Sequence, residues 1–216
     1  MPRATWTNLD ETRRERVLQA AMAEFGRRGY SSGSLNVIAR EADVAKGSLF
    51  QYFDDKFDFF AHVAEYTSLN IYAAMTPYLD GPTGGQTFGE YFAELVEIWM
   101  EYMHDHPLER GVTAATNLEL DPEVRQAVRE PVHRLYAQAL RPMIENAIAT
   151  GDLDPTTDTD ALIAMLVLLL PHLALAPFEP GLDATLTLYG TTGSTRAAAA
   201  RRLVATLLAG ARAVTG

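Results

Sequence analysis

The sequence predicts an all-α protein, and three observations carry that reading. Apolar residues recur at helical spacing in one segment after another, from Val17, Leu18, Ala21, Met22 and Phe25 near the start to Leu203, Val204, Leu207, Leu208 and Ala211 near the end. Two short amphipathic segments joined by a tight turn lie between Ser34 and Lys56. Glycine and proline punctuate the pattern where helices start or stop, as at Gly29, Asp121-Pro122 and Gly151. About nine helices are expected, divided into an N-terminal three-helix domain over 1–56 and a larger helical domain over 57–216.

The first helix is expected from about Asp10 to Arg28, with Gly29 as its stop. Residues 1–9 before it read as a polar arm with Arg3 and Trp6, expected to be unstructured, although such arms can reach a DNA minor groove. Arg13, Arg14 and Arg16 read as a solvated face paired with Glu11 and Glu15, although one of them could touch a phosphate.

In the second helix, Leu35, Ile38 and Ala39 share one buried face, and Ser34 stands at the N-cap. Ala42-Asp43-Val44 make the turn, and the third helix spans about Ala45 to Phe53. Leu49 and Phe53 face the core, while Lys46, Gly47, Ser48, Gln51 and Tyr52 are expected on the other side. This is the pattern of a helix-turn-helix, whose second helix enters the major groove of DNA.

The residues from 12 to 60 resemble the DNA-binding segment of the tetracycline-repressor (TetR) family. The resemblance rests on Ala20-Ala21-Met22-Ala23-Glu24-Phe25, Gly29-Tyr30, the Ser34 cap, Ile38-Ala39, Gly47, the aromatic run Phe50 to Phe53, and Lys56. Two positions depart from the family pattern. Ala45 stands where a Ser or Thr usually caps the recognition helix, and Phe50 stands where a Tyr hydroxyl usually reaches a phosphate. The resemblance implies a double-stranded DNA operator as partner, contacted by Ser34, Lys46, Gly47, Ser48, Phe50, Gln51, Tyr52 and Lys56. It also implies a homodimer and a body that binds a small molecule.

Composition must be reconciled with DNA binding, because the net charge is −10. Residues 1–56 hold nine Lys/Arg against eight Asp/Glu; the remaining 160 residues hold nine against twenty. Both lysines of the chain, Lys46 and Lys56, lie in the reading stretch. An acidic body behind a near-neutral head restrains non-specific DNA binding. Hydrophobic residues make up 48%, enough for a sizeable core. The chain has no cysteine, which excludes a disulfide framework, a thiolate metal site and a cysteine nucleophile. No secretory signal pattern opens the sequence, so a cytoplasmic location is expected.

A fourth helix, about 55 to 74, buries Phe57, Phe60, Ala61 and Ala64 and leads from the head into the body. The loop 79–87 is glycine-rich but lacks the lysine of a phosphate loop. A fifth helix, Phe88 to His104, is apolar nearly all round, so it is central to the body or lines a cavity. His104-Asp105-His106 does not read as a metal site, because residues two apart do not share a helix face. A sixth helix covers about Leu108 to Leu118. The seventh, from Asp121-Pro122 to Gly151, contains Pro131 and Pro142 and is expected to kink or split. The eighth, about Thr159 to Ala176, is too short and too interrupted by Pro171 and His172 for a membrane span. The ninth, about Thr195 to Val214, carries Arg196, Arg201, Arg202 and Arg212 mostly off its apolar stripe. Helices eight and nine are expected to pair with their copies in a second subunit, forming a four-helix bundle. The segment 177–194 is long for a connection and is expected to wrap over the body or the partner subunit.

A small apolar or aromatic ligand is the expected effector, with Tyr66, Phe92, Trp99, Met103, His133, Tyr136, Met143 and His172 as candidate lining residues. No cofactor or metal is implied. The leading reading is a ligand-responsive repressor released from a palindromic operator. The alternatives are an activator or a ligand-independent DNA-binding protein, or an enzyme with a helical body. Against the enzyme stand the absence of a glycine-flanked nucleophilic serine, of HExxH and of suitably spaced paired carboxylates.

Overall fold

Four short polar side chains set where helices begin in the computed structural model, which describes residues 2–211. Asp10 accepts from the Arg13 amide at the start of α2 (Glu11–Ser32), and Ser34 accepts from Val37 at the start of α3 (Leu35–Glu41). Asp121 accepts from Glu123 and Val124 as α8 (Pro122–Ala149) opens, and Asp158 accepts from Ala161 at the start of α9 (Thr159–Leu175). Each satisfies amides that the helix itself leaves without acceptors. The remaining elements are α1 (Ala4–Thr7), α4 (Lys46–Tyr52), α5 (Lys56–Met75), a 3-10 turn at Thr76–Tyr78, α6 (Phe88–Asp105), α7 (Pro107–Asn117) and α10 (Gly193–Leu207). The expected all-α architecture is what the described residues form, with one helix more than the sequence suggested.

The chain folds into two compact units. One comprises the residues up to Tyr72 together with His106–Val132; the other comprises Ala73–Asp105 and the chain from His133 onward. These packing units do not follow the division expected at Lys56. Val112, Val124 and Val128 lie in the same core as Phe25, Phe59 and Phe60, so α7 and the first part of α8 belong with the head.

In the first unit, Phe25 is the hub. Its ring meets Phe59 at 5.8 Å and Phe60 at 5.1 Å, both edge-on, and Phe53 stacks on Phe59 at 4.3 Å. Helices α2 and α7 cross at a glycine pair. A β-carbon on Gly26 would lie 3.0–3.1 Å from the backbone of Gly111 and Val112, so a side chain there would press the two backbones apart by a few tenths of an ångström. Gly29 has φ 68° and breaks α2, as its position predicted, yet a further helical turn follows to Ser32.

The second unit is built on α6, with α9 and α10 packed against it. Phe92 and Met103 are fully buried and Met100 nearly so. Arg196 on α10, expected on the solvent side, is only 4% exposed. Its guanidinium donates to both carboxylate oxygens of Glu101 on α6 at 2.9 Å and to the Thr191 carbonyl at 2.9 Å, and it lies over the Phe178 ring.

Three expectations need correction. The polar arm is ordered through α1. Helix α8 runs unsplit through Pro131 and Pro142, because its apolar positions are buried on both sides of each proline: Val128 and Val132, then Leu140, Met143, Ile144 and Ala147. Helix α10 ends at Leu207, where Ala209-Gly210 follows, and the Ala211 carbonyl instead accepts from the Asp154 amide. Val214 and Arg212 lie outside the described residues. The segment 177–194 lies on the body, one of the two places expected for it: Asp183 accepts from the amides of Thr185, Leu186 and Leu188, and Leu188 is buried with Ala176 and Ala199. No described helix is long and apolar enough to cross a membrane.

Candidate nucleic-acid interface

Helices α3 and α4 present the expected face because their apolar sides are locked down. Ile38, Ala39, Ala42, Leu49 and Phe53 are buried in the core of the first unit. The Ser34 side chain caps α3, and its own amide donates to Glu24 Oε1 at 3.0 Å. Glu24 is 3% exposed and is flanked by Arg27 and Arg28 at 3.5 and 3.7 Å, so the buried carboxylate is paired. This residue was not singled out from sequence. Its helical spacing with Arg27 and Arg28 was a usable signal.

Of the eight expected DNA contacts, Lys46, Gly47, Phe50 and Gln51 are exposed and adjacent on α4, and Ser48 is half-buried beside them. Nothing stands within 4 Å of where a Gly47 β-carbon would be. Phe50 is 42% exposed, a large apolar ring turned to solvent. Ala45 occupies the N-cap of α4 without a side-chain hydrogen bond, as the missing hydroxyl dictates.

Tyr52 does not join this face. It is 5% exposed, and its ring sits 5.6 Å from Trp6. Leu49, Tyr52 and Phe53 fall at i, i+3 and i+4, so all three turn inward. Ser34 is half-buried and occupied with capping α3. Lys56 is half-buried as well: its ammonium donates to the Ser31 carbonyl at 3.0 Å and lies 4.9 Å from the centre of the Tyr30 ring. Burial lowers its pKa, while Glu119 and Glu24 pull the other way. Lys46 is thus the more available cation of the two. Arg16, expected to pair with Glu11 or Glu15, lies 3.8 Å from Asp43 instead.

The N-terminal arm is the feature that sequence reasoning missed. Trp6 is 3% exposed, packed on Tyr52, Phe53 and His62. Its indole N–H donates to His62 Nε2 at 3.1 Å, which fixes that ring's proton on Nδ1. Burial pushes the His62 pKa down, opposed by Glu65 and Asp58.

The ligand candidates scatter. Tyr66 is half-buried against the core of the first unit. In the second unit, Phe92 and Met103 are solid core, Met143 is buried, and His133 is half-buried. Trp99 and Tyr136 come together edge-on at 5.8 Å, and the buried Trp99 Nε1 has no hydrogen-bond partner among the described residues. His172 is exposed on α9, in line with exposed Met165, Leu168 and Leu169. A hollow of about 230 Å³ lies where the loop after the 3-10 turn meets α6, lined by Tyr78, Asp80, Gln86, Tyr91, Glu94 and Leu95, among others. None of the eight candidates lines it.

The arrangement defines a class: a helix-turn-helix head with an all-helical body. The family model described as "Bacterial regulatory proteins, tetR family" matches residues 17–63, and the one described as "Tetracyclin repressor-like, C-terminal domain" matches 89–189. The chain belongs to the TetR family of bacterial transcriptional regulators. It is 38% identical over 71 residues to the HTH-type transcriptional regulator AcrR of Shigella flexneri, a match that spans 33% of this chain and only 33% of that relative's length. Among solved structures, a TetR family regulator from Chloroflexus aurantiacus J-10-fl superposes with a TM-score of 0.63 at 24% identity, covering 98% of this chain and 99% of that one. The regulator FadR of Bacillus subtilis, solved in complex with stearoyl-CoA, gives a TM-score of 0.70 at 18% identity, covering 91% and 98%. At these identities the structural likeness speaks for the fold.

Proposed function

We propose that this protein is a ligand-responsive transcriptional repressor that binds a palindromic DNA operator as a homodimer and is released by a small apolar molecule. The observation that carries the reading is the exposed face of α4, where Lys46, Gly47, Phe50 and Gln51 stand together above a buried platform. Lys46 neutralises phosphate, Gly47 admits close backbone approach, and Gln51 and Ser48 hydrogen-bond base edges. Phe50 packs on sugar or a thymine methyl. Ser34 and Lys56 flank this face and act mainly on the fold around it.

Functionally the chain divides near Lys56, with 1–56 reading DNA and 57–216 binding ligand and partner. The exposed stripe Met165, Leu168, Leu169 and His172 on α9 supports dimerisation through α9 and α10, since a copy of the same stripe would cover it. Trp99 supports the ligand reading: its unpartnered indole N–H, beside Tyr136, suits an apolar molecule carrying one acceptor. The Bacillus subtilis FadR binds stearoyl-CoA, whose acyl chain is apolar though its coenzyme A moiety is strongly charged, so acyl-CoA belongs among the compounds to be tried. The ligand acts only through a difference in its affinity for DNA-competent and incompetent states.

The test is release. Purified protein bound to a labelled operator fragment is titrated with acyl-CoA and aromatic compounds while anisotropy is followed. Release by one class at saturable concentration, abolished in Trp99→Phe, is expected. Binding to DNA that no such compound disturbs would leave a ligand-independent regulator.

A further inference from the structure

We infer that residues 2–9 form a latch that sets DNA affinity by closing the C-terminal end of recognition helix α4, with Arg3 and Trp6 as positioning residues that do not touch DNA. The inference rests on the DNA-binding reading of α4.

A helix leaves its last four carbonyls without intrahelical partners. In α4 the first of these, Leu49, accepts from the Phe53 amide. The other three are all taken by the arm. Arg3 Nη1 donates to the Phe50 carbonyl at 2.9 Å, the Thr5 hydroxyl donates to the Gln51 carbonyl, and the Arg3 amide donates to the Tyr52 carbonyl at 2.9 Å. The guanidinium of Arg3 also holds Asp54 Oδ1 through Nε at 2.9 Å and Nη2 at 2.6 Å. This places a cation at the negative end of the α4 dipole. Trp6 pins the arm, buried at 4.9 Å from Phe53 and bonded to His62.

The device compensates for two weaknesses. A seven-residue helix is marginal in water by itself, because nucleation is costly. The start of α4 also lacks a side-chain cap, since Ala45 offers none. Its exposed face therefore depends on the far end being held. Arg3, whose kind at an N-terminal arm suits a minor groove, has its fork committed to Asp54 and Phe50 instead.

The test compares the full chain with its Arg3→Ala and Trp6→Ala variants by hydrogen exchange and by anisotropy on operator DNA across a salt range. In Arg3→Ala, protection of the α4 amides is expected to fall about tenfold while α6 amides keep theirs. Operator affinity falls about tenfold with the salt slope unchanged, because no phosphate contact is lost. Asp54→Asn reproduces part of the loss, and adding it to Arg3→Ala costs little more. A salt slope reduced by about one unit would make Arg3 a phosphate contact and overturn the latch. Unchanged α4 protection in both variants would overturn it equally. Absence of specific DNA binding by the unmodified chain would refute the DNA-binding reading instead, and the exchange data would then decide the latch alone.

Discussion

Gly47→Ala adds one methyl group, and the account requires it to move stability and DNA affinity in opposite directions. Gly47 is the second residue of α4, its φ lies outside the left-handed region, and nothing stands within 4 Å of the new β-carbon. Alanine there restricts the unfolded chain at no steric cost to the folded one, which stabilises by about 0.5–1 kcal/mol. For a chain of this size that raises Tm by about 1–4 °C. On DNA the same methyl occupies the space that close backbone approach needs. Displacing the face by a fraction of an ångström lengthens neighbouring hydrogen bonds, and losing the worth of about one of them lowers affinity by about tenfold. Calorimetry and anisotropy on the same preparation read both effects. A higher Tm with operator affinity unchanged within about twofold would remove Gly47 from the interface. A lower Tm would contradict the geometry itself.

Three further outcomes are expected. Gly26→Ala, which drives a β-carbon to 3.0–3.1 Å from the Gly111 and Val112 backbone, destabilises by about 1–3 kcal/mol in urea unfolding, and a neutral result would refute the close crossing of α2 and α7. Arg196→Ala removes a 4%-exposed guanidinium that serves Glu101 and Thr191; Glu101 is partly solvated, so the loss is about 2–3 kcal/mol, checked by chemical denaturation. His62 gives a pH dependence whose sign is fixed by burial: its folded pKa lies below the ordinary value near 6.5, so between the two the unfolded chain binds more protons. Stability is therefore complete above that value and falls as pH drops through the folded pKa, a slope that His62→Gln flattens in unfolding curves taken between pH 5 and 8; a parallel slope in the variant would assign it elsewhere.

How far the sequence could be read depended on the range of the interaction. Helices α3 and α4 and the Ser34 cap were legible because periodicity and capping act within a few residues. Tyr52 was misplaced because a tyrosine suits either a wet or a dry face, although its spacing from Leu49 favoured the dry one. Trp6 looked like part of a loose arm because its partners, Phe53 and His62, lie about fifty residues away. Arg196 was read as a surface charge for the same reason, since Glu101 is 95 positions distant. The prolines of α8 suggested a break that burial on both sides overrides. The ligand-lining residues stayed the least legible: Phe92 and Met103 prove to be filled core, and a core stripe and a cavity wall have the same spacing.

The measurement that tests the central claim most directly is anisotropy of the full chain on DNA from upstream of its own gene, against a scrambled fragment, with Lys46→Ala and Gln51→Ala alongside. The account predicts saturable binding far tighter on the upstream DNA, a salt slope about one unit smaller in Lys46→Ala, and a changed base preference at one position per half-site in Gln51→Ala. Equal, weak binding of all three proteins to both DNAs would contradict it.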